Sequence, residues 1–277
     1  MALDKYVAEK TAKVEEIRYV DSHVHLADPS YNADLEQILK DARGIGVVAI
    51  IANSEDLDSS LATLEIAEQF PDLVHPAIGI HPWNASSITG EAVEQLMACM
   101  ISNRERLIAI GEVGLDGVYA GSQGSAEVQI RVFQKMLEAA SRLRLPVIVH
   151  SRKMAGAVLD YTASYDLSKV ILHWYSGPVE FLRQIIQRGY YVTFGPSLIY
   201  AKHIQEIAGE TPIDLILTET DGPVQYHGIL QKVKTTPRLI PYVVEKLAEI
   251  KGTTIQEVAA HILRNSIAAF PKLPRSW

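Results

Sequence analysis

The sequence predicts an α/β protein: a single-domain (β/α)8 TIM barrel of parallel strands. Three observations carry that prediction. Short continuous apolar runs, rich in β-branched residues, recur along the 277 residues, as in strands buried on both faces. Helical stretches separate most of them. Histidine or an acidic residue follows most of these runs, and a parallel barrel gathers such strand ends on one face. The rival architecture, a doubly wound open sheet, usually carries a Gly-rich nucleotide fingerprint after its first strand, and this chain has none.

Taken in order, residues 4–17 read as a charged helix with Tyr6, Val7, Val14 and Ile17 as its apolar points. They make residues 1–17 an N-terminal helical extension, with the barrel domain over 18–277. Ile17 to Val20 is a first strand, running into Asp21-Ser-His-Val-His25. A helix over 35–42 ends at Gly44, and Val47 to Ala52 is the second strand. A helix over 59–69 stops at Pro71. The third strand, 74–80, runs into His81, and a helix follows over 91–103. The fourth strand is 107–112, followed by a long helix over 129–142. The fifth is 146–150 and the sixth 170–173. A helix over 178–188 leads to the seventh strand, 190–194. The eighth is 214–219, and helices over 242–250 and 255–269 close the chain.

Composition narrows the class. Hydrophobic content is 48% and charged content 21%, as in an ordinary globular protein. Cys99 is the only cysteine, so an intrachain disulfide and a thiolate metal cluster are both excluded. Neither an apolar leader nor a run long enough to cross a membrane is present, so a cytoplasmic location and no membrane partner are expected. The net charge of −7 gives no global sign of nucleic-acid binding.

The chemistry sits where the strands end. Side chains two apart on a strand share a face, so His23 and His25 project together. Later strands end at His81, Glu112, His150 and His173, and the eighth runs into Glu219-Thr-Asp221. Of nine histidines, five fall at these ends; His75, His203, His227 and His261 do not. Imidazoles with carboxylates suit Zn, Mn or Mg. His23, His25, Glu112, His150, His173 and Asp221 are the expected metal ligands, more than one hydrolytic ion needs. Two divalent metal ions sharing them, with Glu112 as the bridge, use all six. His23, His25 and Asp221 complete one ion, His150 and His173 the other. Asp221 is the expected general base, with Glu112 as its catalytic companion, and Glu219 supports the site from behind. His81 and Arg152 are the expected substrate-binding residues, Arg152 as a bidentate phosphate clamp.

Six segments then resemble, in order, the motifs of the TatD family: Asp21-Ser-His-Val-His25, Gly79-Ile-His-Pro82, Gly111-Glu-Val-Gly-Leu-Asp116, Val149-His-Ser-Arg152, Leu172-His-Trp-Tyr-Ser-Gly177 and Glu219-Thr-Asp-Gly-Pro223. The likeness covers roughly residues 19–270, Asn265 included. It implies a metal-dependent hydrolase of the amidohydrolase-like superfamily, many members being deoxyribonucleases, with a dinuclear centre on the six residues above. Three departures stand out. The family often has His-Cys-Phe-Ser-Gly where this chain has His173-Trp-Tyr-Ser-Gly177, and Asp-Ser-Pro where it has Asp221-Gly-Pro223. The family's Arg-Asn-x-Pro element is blurred into Lys234-Thr-Thr-Pro237. All six ligands are kept.

The leading expectation is therefore a deoxyribonuclease acting on DNA, as a single strand or at a strand end. Between Pro223 and Arg238 the chain has no acidic residue but carries Lys232, Lys234, Arg238, Tyr226 and His227, a mix that suits a polyanion. Trp83, Trp174 and Tyr175 are candidates to stack on bases. The alternatives are a small-molecule hydrolase of an amide, ester or lactone at the same metals, and a catalytically silent scaffold, against which the complete ligand set argues.

Overall fold

A computed structural model describes residues 17–122 and 125–275. The extension expected over 4–17 lies, except for its last residue, outside the described residues. The strands are β1 (Tyr19–Val24), β2 (Val47–Asn53), β3 (Val74–Ile78), β4 (Ala109–Gly114), β5 (Val147–His150), β6 (Val170–Leu172), β7 (Tyr191–Phe194) and β8 (Ile216–Thr218). They form one eight-stranded parallel sheet in chain order. The seam between β8 and β1 is closed by hydrogen bonds. The Thr218 hydroxyl donates to the Val20 carbonyl at 2.7 Å, and the Asp221 N–H to the His23 carbonyl at 2.8 Å.

The helices are α1 (Leu35–Gly44), α2 (Leu57–Gln69), α3 (Gly90–Ser102), α4 (Gly117–Ser122), α5 (Ala126–Leu143), α6 (Ala155–Ala163), α7 (Val179–Gln187), α8 (Lys202–Glu210), α9 (Ile240–Lys251) and α10 (Ile255–Ala269). None of the described helices is long and apolar enough to cross a membrane. Strand residues divide with period two between two cores. Val47, Val147, Val149, Val170 and Leu172 pack outward against helix residues such as Leu39, Phe133 and Leu182. Val20, Ala49, Ile51, Ile148, Ile171 and Leu217 form the inner core, joined by Phe270 and Leu273 from beyond α10. This inner set is apolar, and the buried acids and most of the strand histidines stand toward the strands' C-terminal ends.

The structure corrects several element boundaries. β1 continues to Val24, so His23 lies inside the strand rather than after it. β4 spans Ala109–Gly114 and carries Glu112 within it. Gly114 sits at φ 143°, where an added Cβ would meet the His150 carbonyl oxygen at 2.1 Å. That close approach lets β4 and β5 converge beside the site. β8 is only Ile216–Thr218, because Ile213–Leu215 forms a 3-10 turn after Pro212. Helices α4, α6 and α8 are additions to the sequence reading.

Candidate metal centre

The first histidine pair is fixed by the barrel seam. The Asp21 carboxylate accepts from the His23 N–H at 3.2 Å, the Thr220 N–H at 3.0 Å and the Thr220 hydroxyl at 2.5 Å. Burial pushes the Asp21 carboxyl up to about 8 despite those bonds. The seam thus sets β1 against the segment carrying Asp221. His23 and His25 come together with their Nε2 atoms 3.2 Å apart and their rings edge to face.

Glu112 is the centre of the cluster. Its Oε2 lies 3.2 Å from His23 Nε2 and 3.3 Å from His25 Nε2. Its Oε1 lies 2.8 Å from His173 Nε2, 2.9 Å from His150 Nδ1 and 3.3 Å from His81 Nε2. Asp221 Oδ1 stands 3.5 Å from the Nε2 of both His23 and His25. All six expected ligands are therefore gathered at one end of the barrel, and His81 joins them. Because His81 Nδ1 accepts the Trp83 N–H at 3.2 Å, its Nε2–H is left to face Glu112.

Two imidazoles are held from behind by carboxylates. Asp116 Oδ2 lies 2.9 Å from His150 Nε2, and Glu219 Oε2 lies 3.3 Å from His173 Nδ1. When these rings are neutral, their outer N–H groups point at the carboxylates and their inner lone pairs at the centre, the usual support for a metal-binding histidine. Glu219 also accepts from the Thr193 hydroxyl at 2.5 Å and the Trp174 N–H at 3.0 Å. Asp116 also accepts from the Trp83 indole N–H and the Val118 and Tyr119 N–H groups, each at 2.9 Å. Asp116 has no role in the sequence reading, although it closes the motif that begins at Gly111. Only the fold reveals what it touches.

The electrostatics suit a cation. Burial opposes ionisation of Glu112, but His173, His81, His23 and the bond to His150 hold it well below the usual carboxylate range. Burial likewise opposes charge on Asp221, which His25, His173 and His23 hold low. Burial disfavours protonating His25, yet Asp221 and Glu112 drive it well above its usual value. Against the same burial, Glu112 and Glu219 do this for His173, and Asp116 and Glu112 raise His150. His23 goes the other way, lowered by burial and by His173, on which it stacks at 3.9 Å. The buried carboxylates thus favour positive charge on His25, His150 and His173, while His23 is held toward its neutral form. Ligand atoms of His23, His25 and Glu112 lie within 4.8 Å of one another, as do those of His81, Glu112 and His150, and of His23, His173 and Glu219. The all-imidazole and carboxylate donor set fits a divalent ion.

On the substrate side the structure places the remaining candidates and corrects the reading of the basic segment and of Tyr175. Arg152 is exposed in the loop after β5. In the basic segment, Lys234 is tied to Asp34 at 2.7 and 2.9 Å and to the Ser30 carbonyl at 3.0 Å, while Arg238 faces Asp41 at 3.4 Å. Both cations thus face acids in and just before α1, because the loop folds back over that helix. Tyr226 is buried, donating to the Thr220 carbonyl at 2.8 Å, and Tyr175 is buried, donating to the Pro178 carbonyl at 2.6 Å. Neither ring offers a face to a base. Gly222 has its own reason: an added Cβ would stand 2.1 Å from the Tyr31 hydroxyl, which donates to the Thr235 carbonyl. A serine there would collide with Tyr31.

Comparison with known proteins agrees with this geometry. A family model described as TatD related DNase matches residues 20–271. Deoxyribonuclease TATDN3 of Homo sapiens is 30% identical over 262 residues, covering 92% of this chain and 95% of that protein. The uncharacterized metal-dependent hydrolase YabD of Bacillus subtilis is 30% identical over 254 residues, covering 90% of this chain and 98% of its own. The crystal structure of YjjV, a TatD homolog from Escherichia coli, matches with a TM-score of 0.87 at 26% identity, covering 93% of this chain and 99% of that one.

Proposed function

Since this chain belongs to the TatD related DNase family and is a metal-dependent hydrolase, we propose that it hydrolyses DNA phosphodiester bonds, from a strand end, with single strands favoured. One observation carries the dinuclear part of this reading. The two oxygens of Glu112 face different imidazole sets, His23 and His25 on one side and His150 and His173 on the other. On this reading His23, His25 and Asp221 hold one ion, His150 and His173 the other, with Glu112 between them.

A divalent ion bound there supplies Lewis-acid polarisation of a phosphoryl oxygen and makes water a nucleophile near neutral pH. The residues do the rest. Asp116 and Glu219 hold the His150 and His173 rings in the ligating orientation. Asp221, kept ionised by the imidazoles around it, is the general base that takes the proton of the attacking water. On this reading His81, whose ring lies beside the cluster, contacts the scissile group, and Arg152 at the mouth pairs with phosphate.

The test is nucleotide release from 5′- and 3′-labelled single strands, duplex DNA, RNA, and a panel of small esters and lactones, with metal content measured by elemental analysis. Two ions per chain and release from one strand end are expected. A second reading, a small-molecule hydrolase, draws on the engagement of Lys234 and Arg238 with α1 and its approach. Turnover of a lactone or ester with none of any strand establishes it instead.

A further inference from the structure

Among the described residues, five large apolar side chains are markedly exposed: Leu61, Trp83, Ile101, Val118 and Ile229. Leu61 and Ile101 lie on the helices α2 and α3. Trp83 alone among them is in contact with the histidine cluster. Its ring centroid lies 4.9 Å from that of His81 and 6.5 Å from that of His150. It is nonetheless 43% exposed, so a large aromatic surface opens to solvent directly beside the candidate centre.

This exposed ring is also held firmly. Its indole N–H donates to Asp116 at 2.9 Å, and its backbone N–H to His81 Nδ1 at 3.2 Å. Tyr119 stacks beside it, with centroids 6.1 Å apart and planes inclined by 26°. An exposed aromatic fixed at both ends is ordered before anything binds, so little conformational freedom is lost on binding. Tyr175 and Tyr226 are buried, which removes them as competing platforms, and Trp174 is only partly exposed, its ring inclined against that of Tyr226 with centroids 5.4 Å apart.

Resting on the nuclease reading above, we infer that Trp83, backed by Tyr119, is the shelf on which the nucleobase flanking the scissile phosphodiester stacks. The cluster takes the phosphate, and the adjoining base lies over the indole. Stacking on an aromatic ring tolerates every base, because each has a π-face, so the shelf sets a requirement for a base without reading sequence. Asp116 gives it a second property: the carboxylate that fixes the shelf also holds the His150 ring.

The test compares two single strands that differ only in whether a nucleotide flanking the cleaved bond carries its base or is abasic. Wild type, Trp83→Ala and Trp83→Phe are each assayed on both, and the readout is the ratio of kcat/KM within each enzyme. Wild type is expected to favour the base-bearing strand by about ten-fold at one flanking position. Trp83→Ala should bring that ratio close to unity. Trp83→Phe, which keeps a ring and loses the bond to Asp116, should retain most of it. A purely structural role for Trp83 lowers both rates together and leaves the ratio alone. An unchanged ratio in Trp83→Ala, or no preference in wild type at either position, overturns the shelf while the nuclease reading stands. If wild type cleaves neither strand, the nuclease reading itself fails and takes the shelf with it.

Discussion

The cluster around Glu112 and the loop after β8 both carry charge, yet they handle it in opposite ways. In the cluster Glu112 is 1% exposed and Asp221 4%, and each faces imidazoles packed among other buried polar groups. In the loop, Lys234 and its partner Asp34 have side chains 45% and 44% exposed. Charge in a dry site must be answered by a partner of fixed geometry, whereas exposed pairs are screened by water and contribute little. The difference teaches where function can be read. A buried acid among histidines is costly to keep unless something uses it, while a basic loop can simply be fastening itself to its neighbour.

The sharpest way to break the comparison is to remove the charge at its centre. Glu112→Gln keeps the shape but leaves the imidazoles around it without their shared anion. Metal retention after dialysis, read by elemental analysis, should fall beyond the roughly 10–100-fold that losing a supporting partner costs, and turnover should vanish with it. A variant that retains wild-type metal would show that Glu112 does not organise the site.

Next come two carboxylates that differ in what they touch. Asp221→Asn should cut turnover by about 10²-fold or more, the usual size of general-base help, with metal retained better than in Glu112→Gln. Asp116→Asn should instead weaken metal binding by roughly 10–100-fold, since it holds the far side of His150. Equal effects of both variants on metal and on turnover would erase the distinction between base and support.

A smaller effect is expected from pH on the metal-stripped protein. The folded-state values of His25, His150 and His173 are raised, so their stabilisation is full below about 6.5, their ordinary value, and is lost as pH rises through the raised ones. Glu112 and Asp221 are lowered, so their contribution is present above ordinary values of 4.5 and 3.8 and is lost as pH falls through the lowered ones. Thermal unfolding should therefore show a maximum between about pH 5 and 6.5. Added divalent ion should move that maximum upward, because it replaces the protons the cluster would otherwise hold. A metal-free protein whose Tm climbs steadily from pH 6.5 to 8 would contradict this balance.

The sequence disclosed the strands and the side chains that gather around Glu112 for one reason: both follow from apolar runs and from what interrupts them. His23, His150 and His173 stand out because polar residues break runs such as Val147 to Val149 and Val170 to Leu172. Asp116 escaped notice because its partners, His150 and Trp83, lie 34 and 33 residues away along the chain. The basic loop misled for the same reason. Nothing local to Lys234 shows that Asp34, 200 residues earlier, is its partner.

The finest test asks which cations meet DNA. Binding that neutralises a phosphate releases counterions, so the logarithm of affinity for a single strand falls with the logarithm of salt by about 0.7 per contact. Arg152 is exposed beside the motif that supplies His150, and among the described residues no ion pair engages its guanidinium. Lys234 already has a carboxylate, a carbonyl and the Tyr31 ring, whose centroid is 5.3 Å from its Nζ. Arg152→Ala should therefore lower the magnitude of the salt slope by about 0.7. Lys234→Ala should leave the slope as it is and cost only ~0.2–1 kcal/mol of stability, the range of an exposed pair. Affinities for a fluorescent single strand at several salt concentrations decide the matter, measured with a calcium-loaded protein if hydrolysis intervenes. Should Lys234→Ala reduce the slope as much as Arg152→Ala does, the loop leaves α1 to meet the strand, and the contrast between a committed rim and a working centre disappears.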